Sequence, residues 1–217
     1  MKIKAIIFDF DGLMFDTEKV WKDYFFEANK VFNVNFTDQD RIKCMGKREP
    51  VIRAELKAEN PDLDVDAYRD WMGGKVKQHL SEIGADKKKG LDEILNYIKQ
   101  NNILAGIATG SGKNTILQIL NNAKVDTGIF KSYVTADMDI KSKPAPDMYL
   151  QSCKNLGVKP EETLVLEDSY NGVKAGNAAG CFTIMIPDTL PETEEMRNTA
   201  NLILDDLLQV VELLKTK

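Results

Sequence analysis

Histidine and cysteine are scarce in this sequence, which excludes several kinds of active site. The 217 residues include one histidine, His79, so a site of several histidine ligands is excluded, and a histidine-based triad would have to use that residue. The cysteines, Cys44, Cys153 and Cys181, are odd in number, far apart and without a Cys-x-x-Cys spacing, which argues against a disulfide framework or a zinc site. Chemistry therefore falls to carboxylates, hydroxyls and lysines, and we expect a reducing, cytoplasmic location.

Long hydrophobic runs and an excess of positive charge are also missing. No apolar stretch is long enough to span a bilayer, and the first one reaches Asp9 and Asp11 too soon for a signal peptide. A net charge of -5 and a pI near 5.1 give no general attraction for nucleic-acid phosphates or anionic lipids. We therefore expect a small ligand as the partner, with no nucleic-acid or membrane partner. We also expect a monomer.

What the chain does contain is an apolar run, residues 3–10, that leads into the acidic turn Asp9-Phe10-Asp11-Gly12-Leu13. Continuous apolar residues predict a strand buried on both faces, and open α/β sheets place their active sites at the carboxyl ends of such strands. Two carboxylates two positions apart, followed by a glycine, can hold a divalent cation and leave one oxygen free to attack. Asp-Gly is also an ordinary turn signal, and the turn alone does not separate these interpretations.

The rest of the chain divides into a helical segment and an alternating one. Residues 17–83 carry apolar positions at helical spacing and predict four helices without a strand, the second beginning at a Thr37–Asp40 capping pair. From Gly90 onward, helices and strands alternate, which indicates βαβ units and a parallel sheet. The predicted strands are 104–108, 133–135, 163–166, 183–186 and 202–204. We therefore predict an α/β fold with a core of residues 1–16 and 84–217, and a helical cap of residues 17–83.

The second strand ends in Thr109-Gly110-Ser111, which offers a hydroxyl and backbone amides where a helix begins, a place that suits an anion. The alternative is that Thr109 or Ser111 only caps the helix after Gly112, and the pattern by itself favours capping. Nucleotide motifs are excluded: Gly112-Lys113 lacks the upstream glycine of a Walker loop, and Gly110-Ser111-Gly112 lacks the third glycine of a dinucleotide fingerprint.

Two later loops carry residues of the kind that the first turn needs. Lys143 lies in the stiff segment Lys143-Pro144-Ala145-Pro146, which suits a fixed positive charge for phosphate, although an exposed loop lysine is the usual alternative. The predicted strand 163–166 runs into Glu167-Asp168, so a strand that ends in paired carboxylates recurs about 160 residues after the first.

If Asp9, Asp11 and Asp168 converge, a cation must accompany them. Like charges about 4 Å apart repel by about 4 kcal/mol at an effective dielectric near 20, so a bare cluster is costly. Oxygen ligands with room for water and a phosphate oxygen favour Mg²⁺ over zinc.

In order, Asp9-Phe10-Asp11-Gly12, the strand ending in Thr109, Lys143-Pro144 and Glu167-Asp168-Ser169 resemble the four motifs of the haloacid dehalogenase superfamily of phosphatases. The helical insertion is similar to the four-helix, C1-type cap of its β-phosphoglucomutase-like branch, so the resemblance covers nearly the whole chain. It implies a Rossmann-like parallel sheet for the core.

The resemblance also implies a role for each motif. Asp9 would be the nucleophile that becomes an aspartyl phosphate, and Asp11 the general acid/base. Thr109 and Lys143 would bind the transferring phosphoryl group, aided by backbone amides near Gly12 and Gly110. The Mg²⁺ ligands would be Asp9, the Asp11 carbonyl and Asp168, with Glu167 in or just outside the coordination sphere.

The function implied is a magnesium-dependent phosphatase that acts on a small phosphorylated metabolite, a sugar phosphate. A β-phosphoglucomutase is the alternative, but that family is expected to carry a histidine early in the first cap helix, where Val20 and Trp21 stand here. His79, at the far end of the cap, suits a packing or surface role better than catalysis. A binding module with a vestigial site ranks last, because all the motif residues are present.

Substrate choice is expected to lie in the cap. Lys47 and Arg48 resemble the substrate-specificity loop of the family, and Lys75, beyond Gly73-Gly74, is a third candidate. Solvated charges at helix ends explain these three side chains equally well.

Overall fold

A computed structural model describes residues 3–45, 47 and 49–216 of the chain. Its centre is a sheet of six parallel strands in the order β3-β2-β1-β4-β5-β6. The strands are β1 (Ala5–Phe8), β2 (Leu104–Ala108), β3 (Phe130–Val134), β4 (Thr163–Glu167), β5 (Phe182–Met185) and β6 (Leu202–Ile203). The predicted α/β class with a Rossmann-like parallel sheet is confirmed.

Ten α-helices accompany this sheet within the described residues. They are α1 (Thr17–Val31), α2 (Asp38–Cys44), α3 (Glu49–Glu59), α4 (Val65–Glu82), α5 (Leu91–Gln100), α6 (Lys113–Asn122), α7 (Asp147–Leu156), α8 (Tyr170–Ala178), α9 (Glu194–Thr199) and α10 (Leu207–Lys215). None of these helices has both the length and the apolar composition needed to cross a bilayer.

The central strand β1 is buried on both faces. Ile6 and Phe8 belong to a hydrophobic cluster shared with α5, α6 and α10, whereas Ala5 and Ile7 belong to one shared with α7. Side chains alternate across a strand, so an uninterrupted apolar run needs a sheet covered on both sides. This burial fixes the position of the acidic turn that follows β1.

Helices α1 to α4 form the helical insertion. Phe25 and Tyr68 lie at the centre of its own apolar cluster, and the Thr37–Asp40 capping box begins α2 as predicted. Helix α4 continues through Gly73-Gly74 without interruption.

The base of the insertion packs on the core. Val20, Val76 and Leu80 join the large core cluster, and the two connecting segments bond to each other where the Asp16 amide donates to the Asp86 carbonyl at 2.8 Å. The division into a core of residues 1–16 and 84–217 and a cap of residues 17–83 stays a prediction.

Beyond shifts of one residue at the ends of β4, β5 and β6, two elements differ from the sequence-based expectation. Strand β3 covers Phe130–Val134, whereas the prediction was 133–135. It is an edge strand with Lys131 exposed, so polar residues interrupt its apolar pattern. Helix α9, capped by Thr193, was not predicted because its six residues are too few to show a helical period.

Candidate active site

Parallel pairing brings the polar strand ends to one edge of the sheet. In β1, Phe8 lies beside Ile107 of β2 and beside Leu166 of β4. Because all three strands run in the same direction, the acidic turn, the Thr109 loop and the Glu167-Asp168 pair open at the same edge.

Three carboxylates meet at this edge. Oxygens of Asp9, Glu167 and Asp168 lie within 4.8 Å of one another, and Asp9 and Glu167 are buried. Lys143 donates to Asp9, to Glu167 Oε1 at 2.5 Å and to the Ala108 carbonyl at 3.0 Å. With only 11% of its side chain exposed, Lys143 is not the free loop lysine of the alternative interpretation. One ammonium balances only part of this negative charge, so the donor set suits a divalent cation.

The crowding of charge changes the pKa values of the group. Burial, together with the charges of Glu167 and Asp11, raises the pKa of Asp9 to about 7 against the opposing effect of Lys143. Burial and the charges of Asp9 and Glu167 also raise the pKa of Asp168 well above its usual range. Burial alone would lower the pKa of Lys143, but Asp9 and Glu167 outweigh it and hold that pKa well above the ordinary value. Protons would therefore compete with any cation that these carboxylates bind.

Glu167 is held by five hydrogen bonds. Its Oε1 accepts from Lys143 and from the buried Tyr149 hydroxyl at 2.5 Å, and its Oε2 accepts from the Asp168 amide, the Ser169 amide and the Ser169 hydroxyl. A β-carbon added to Gly172 would lie 1.8 Å from Oε1, so this position requires glycine. Glu167 thus fixes Lys143 and the loop that follows β4.

The Asp11 side chain turns away from the three-carboxylate group and toward two hydroxyls. Its Oδ2 accepts from Thr109 Oγ1 at 3.2 Å and from Ser111 Oγ at 2.7 Å. At the start of α6, neither hydroxyl accepts from a helix amide: Gly112 occupies the cap position, and the first helical amide, that of Lys113, donates to Asp137 at 2.6 Å. The capping alternative for Thr109 and Ser111 is therefore wrong, because both hydroxyls donate to Asp11.

Gly12 allows the turn to pass beneath Asp168. Its φ of +77° lies in the left-handed region, and a β-carbon there would come within 2.4 Å of Asp168 Oδ2. Glycine at this position therefore lets the backbone pass closer to the Asp168 carboxylate than a residue with a β-carbon would allow.

A cleft of about 530 Å³ lies over this edge, between residues of the strand ends and residues of the helical insertion. Asp9, Asp11, Thr109, Gly110, Lys143 and Asp168 line it from the core side, and Glu18, Met45 and Lys47 from the insertion.

One of the three cap residues predicted to select the substrate lines the cleft. Lys47 lines the cleft and pairs with Glu55 at 2.6 Å. Lys75 lies over the Trp71 ring, 5.8 Å from its centre, and is not among the described residues that line the cleft. Arg48 lies outside the described residues.

Sequence reasoning missed Glu18, Ser111 and Tyr149 as parts of this site. Burial raises the pKa of Glu18 to about 7, although Arg41 lies 3.5 Å away and opposes the shift. Ser111 was visible two positions after Thr109. Nothing in the local pattern of α1 or α7 separates Glu18 or Tyr149 from ordinary helix residues.

Residues 6–186 match the family described as haloacid dehalogenase-like hydrolase. The chain belongs to this family. The superfamily inferred from the four motifs is confirmed, and so is the prediction of a hydrolytic enzyme.

Curated relatives within this family differ in length. The chain is 26% identical over 182 residues to Phosphorylated carbohydrates phosphatase from Thermotoga maritima, covering 82% of each protein. It is 27% identical to Protein SUPPRESSOR OF QUENCHING 1, chloroplastic, over 212 residues and 26% identical to Bifunctional riboflavin kinase/FMN phosphatase over 208 residues, both from Arabidopsis thaliana. Each match covers 95% of the chain, but only 20% and 54% of those longer proteins.

A solved structure supports the fold. The chain superposes on β-phosphoglucomutase from Clostridium difficile with a TM-score of 0.76 at 23% identity, covering 99% of this chain and 96% of that one.

Proposed function

We propose that the protein is a magnesium-dependent phosphatase that hydrolyses a small phosphorylated metabolite through an aspartyl-phosphate intermediate on Asp9. The observation that carries this proposal is the group formed by Asp9, Glu167, Asp168 and Lys143 at the carboxyl edge of the sheet, with Asp11 beside it. Phosphoryl transfer needs neutralised charge and in-line positioning more than elaborate covalent machinery, and the lysine and the carboxylates of this group support the first of these.

The cation would be held by Asp9, Asp168 and the backbone carbonyl of Asp11. We assign Glu167 to the support of Lys143 and of the Ser169 loop, since its oxygens already accept five hydrogen bonds. When bound, Mg²⁺ supplies positive charge that neutralises phosphoryl oxygens and the carboxylates themselves.

Asp9 and Asp11 would divide the covalent chemistry between them. A carboxylate oxygen of Asp9 attacks phosphorus and breaks the ester bond, while Asp11 gives a proton to the leaving oxygen. Asp11 then takes a proton from the water that attacks the aspartyl phosphate. Ser111, which donates to Asp11 at 2.7 Å, would keep its side chain in place for both steps, while the Thr109 hydroxyl would turn from Asp11 to the phosphoryl group.

The transferring phosphoryl group would be bound by Lys143, by the Thr109 hydroxyl and by backbone amides near Gly12 and Gly110. Lys143 is held on three sides by oxygen acceptors, so its charge is already in position when the substrate arrives. Such preorganised charge is effective because it needs little rearrangement in the transition state.

The leaving group would lie against the helical insertion, where Glu18 and Lys47 reach the cleft. A sugar phosphate suits carboxylate and ammonium groups that can bond to hydroxyls, and the relative from Thermotoga maritima named Phosphorylated carbohydrates phosphatase supports this class. We expect the enzyme to act as a monomer in the cytoplasm.

A β-phosphoglucomutase is the second candidate, supported by the fold of the Clostridium difficile enzyme. The first insertion helix does not favour it. Val20 is buried in the core cluster, and Trp21 lines an adjoining cavity of the helical insertion but not the cleft itself. A vestigial binding module is less consistent with the site, since nucleophile, acid/base, lysine and carboxylates all occupy one edge.

A panel of phosphomonoesters with Mg²⁺, including β-glucose 1-phosphate with a bisphosphate primer, tests the proposal. Release of inorganic phosphate supports the phosphatase, whereas formation of glucose 6-phosphate supports the mutase. No product from any ester would favour a binding module.

Asp9→Asn should abolish turnover and leave the fold intact, because an amide cannot attack phosphorus. Asp139→Asn, at an exposed position outside the cleft, is the matched control and should turn over normally. Appreciable hydrolysis by Asp9→Asn would remove the nucleophile assignment. Circular dichroism and thermal unfolding check that both variants fold.

A further inference from the structure

Asp188, three residues after β5, forms an ion pair that none of the four motifs includes. Lys88 Nζ lies 2.5 Å from Asp188 Oδ1, and the two side chains are 26% and 14% exposed. An ion pair this well shielded keeps more of its electrostatic effect than one on the open surface. In the sheet, β5 lies beyond β4, on the side of β1 away from β2.

The second oxygen of Asp188 faces the candidate cation site. Asp188 Oδ2 is buried and receives no hydrogen bond from the described residues. A β-carbon on Gly12 would lie 3.3 Å from this oxygen and 2.4 Å from Asp168 Oδ2, so the two carboxylates share one side of the Gly12 turn.

Lys88 connects this carboxylate to the insertion. It lies in the second connecting segment, where its amide donates to the Met14 carbonyl at 2.9 Å and its neighbour Lys87 bridges to Phe15. The Lys88–Asp188 pair therefore links the segment that joins insertion and core to the carboxylates at the sheet edge.

We propose that Asp188 is a positioning residue of the cation site: its free oxygen favours a divalent cation beside Asp168, and Lys88 limits this effect by holding the other oxygen. The inference rests on the proposed cation-dependent phosphatase. A buried carboxylate oxygen without a donor is costly, and hydrogen bonds from the water shell of a bound cation would satisfy it. Asp188 would thus act through the cation and its hydration without touching the substrate.

Substitutions of Asp188 and Lys88 should change the Mg²⁺ dissociation constant in opposite directions, which distinguishes this role from a purely structural salt bridge. Asp188→Asn removes negative charge near the site and should raise the Mg²⁺ dissociation constant about tenfold, as outer partners of metal sites do. Lys88→Met leaves Asp188 without its counter-charge and should lower that constant. A structural pair would instead lose affinity, or show no change, in both variants.

Titration calorimetry with Mg²⁺ on the full chain measures the constant directly. Lys89→Met is the matched control, because the neighbouring lysine pairs with Asp206 at 2.6 Å, is 71% exposed and should leave the constant unchanged. Thermal unfolding gives a second readout: Mg²⁺ should raise the melting temperature of Lys88→Met more than that of the wild type. At saturating Mg²⁺, the kcat of Asp188→Asn should return to most of the wild-type value.

The outcomes separate this inference from the proposed function. If the wild type binds Mg²⁺ and hydrolyses phosphomonoesters but both variants bind Mg²⁺ like the wild type, or both bind it more weakly, the positioning role is overturned and the phosphatase stands. If the wild type binds no Mg²⁺, both proposals fail. Should Asp188→Asn not fold, the direction of the change in Lys88→Met still decides.

Discussion

Asp9 combines two requirements that oppose each other at the scale of a single residue. As the proposed nucleophile it must be ionised, yet burial and the neighbouring carboxylates raise the pKa of Asp9 to about 7. Lys143 offsets only part of this cost. In the proposed phosphatase, cation binding would maintain the ionised form of Asp9 at neutral pH, so the binding of protons and of Mg²⁺ should be linked.

We expect the apparent Mg²⁺ affinity to increase as the pH rises from about 6 to about 8, because fewer protons then have to be displaced from Asp9 and Asp168. Calorimetry in buffers of different ionisation enthalpy measures both the affinity and the protons released. An affinity that does not change over this range would contradict the raised pKa values.

The same shifts predict how the cation-free protein responds to pH. A pKa raised on folding adds stability at pH values below the unfolded pKa, and this stability is lost as the pH rises through the folded value, about 7 for Asp9. Without Mg²⁺, the melting temperature should therefore fall as the pH rises from about 4 to about 7, and Asp9 should cause no further change above that. Asp9→Asn should weaken this dependence, since its side chain does not titrate.

Lys143→Ala should lower kcat roughly 10²- to 10³-fold, because a fixed positive charge is removed from the phosphoryl site. It should also lower the melting temperature, since Asp9 and Glu167 lose their buried counter-charge. Lys141→Ala, an exposed lysine of the same loop, is the control for both measurements. Kinetics close to those of the wild type would return Lys143 to the role of an ordinary loop residue.

At the scale of the element, the turn after β1 depends on backbone geometry as much as on its carboxylates. Gly12 adopts a left-handed φ and has Asp168 Oδ2 where a β-carbon would lie, whereas a β-carbon on Gly110 would meet no atom within 4 Å. Both glycines follow a strand in the sequence. Only the structure shows that position 110 has room for a β-carbon and that position 12 does not.

Gly12→Ala should destabilise the protein by roughly 1–3 kcal/mol and weaken Mg²⁺ binding, because the methyl group strains the turn and displaces Asp168. The free energy of unfolding of Gly110→Ala should lie within about 0.5 kcal/mol of the wild-type value. Thermal unfolding and calorimetry compare the two variants. Equal stability of both would show that the turn relaxes without cost.

Element boundaries were predictable where the local pattern is strong. Strand β2 was predicted at its observed bounds, and the capping box of α2 and the apolar run of β1 were read directly from the residues. Strand β3 was misplaced because the exposed Lys131 interrupts its pattern at the sheet edge. The short helix α9 gave no periodic signal.

At the scale of the whole molecule, strand order makes the site possible. With β1 between β2 and β4, residues separated by more than 150 positions, such as Asp9 and Asp168, meet at one edge. The large core cluster extends from the sheet into the base of the insertion, so the strands that carry the site and the base of the insertion pack in one hydrophobic cluster.

A monomer should elute with a mass near 24.4 kDa and have a radius of gyration of about 17 Å. Light scattering coupled to size-exclusion chromatography, together with small-angle scattering, measures these values with and without Mg²⁺. A mass near twice this value would show that the protein is a dimer and would contradict the prediction of a monomer.

The sequence by itself determined which chemical groups follow each strand, because buried apolar runs and the turns that end them are local patterns. It therefore predicted the α/β core, the family and the residues Asp9, Asp11, Thr109, Lys143, Glu167 and Asp168. Only the tertiary structure decided which donor serves which oxygen: Ser111 for Asp11, Tyr149 for Glu167, and Lys88 for Asp188. The physical reason is distance along the chain, since these partners lie 18 to 100 positions apart and meet only through strand order and helix packing.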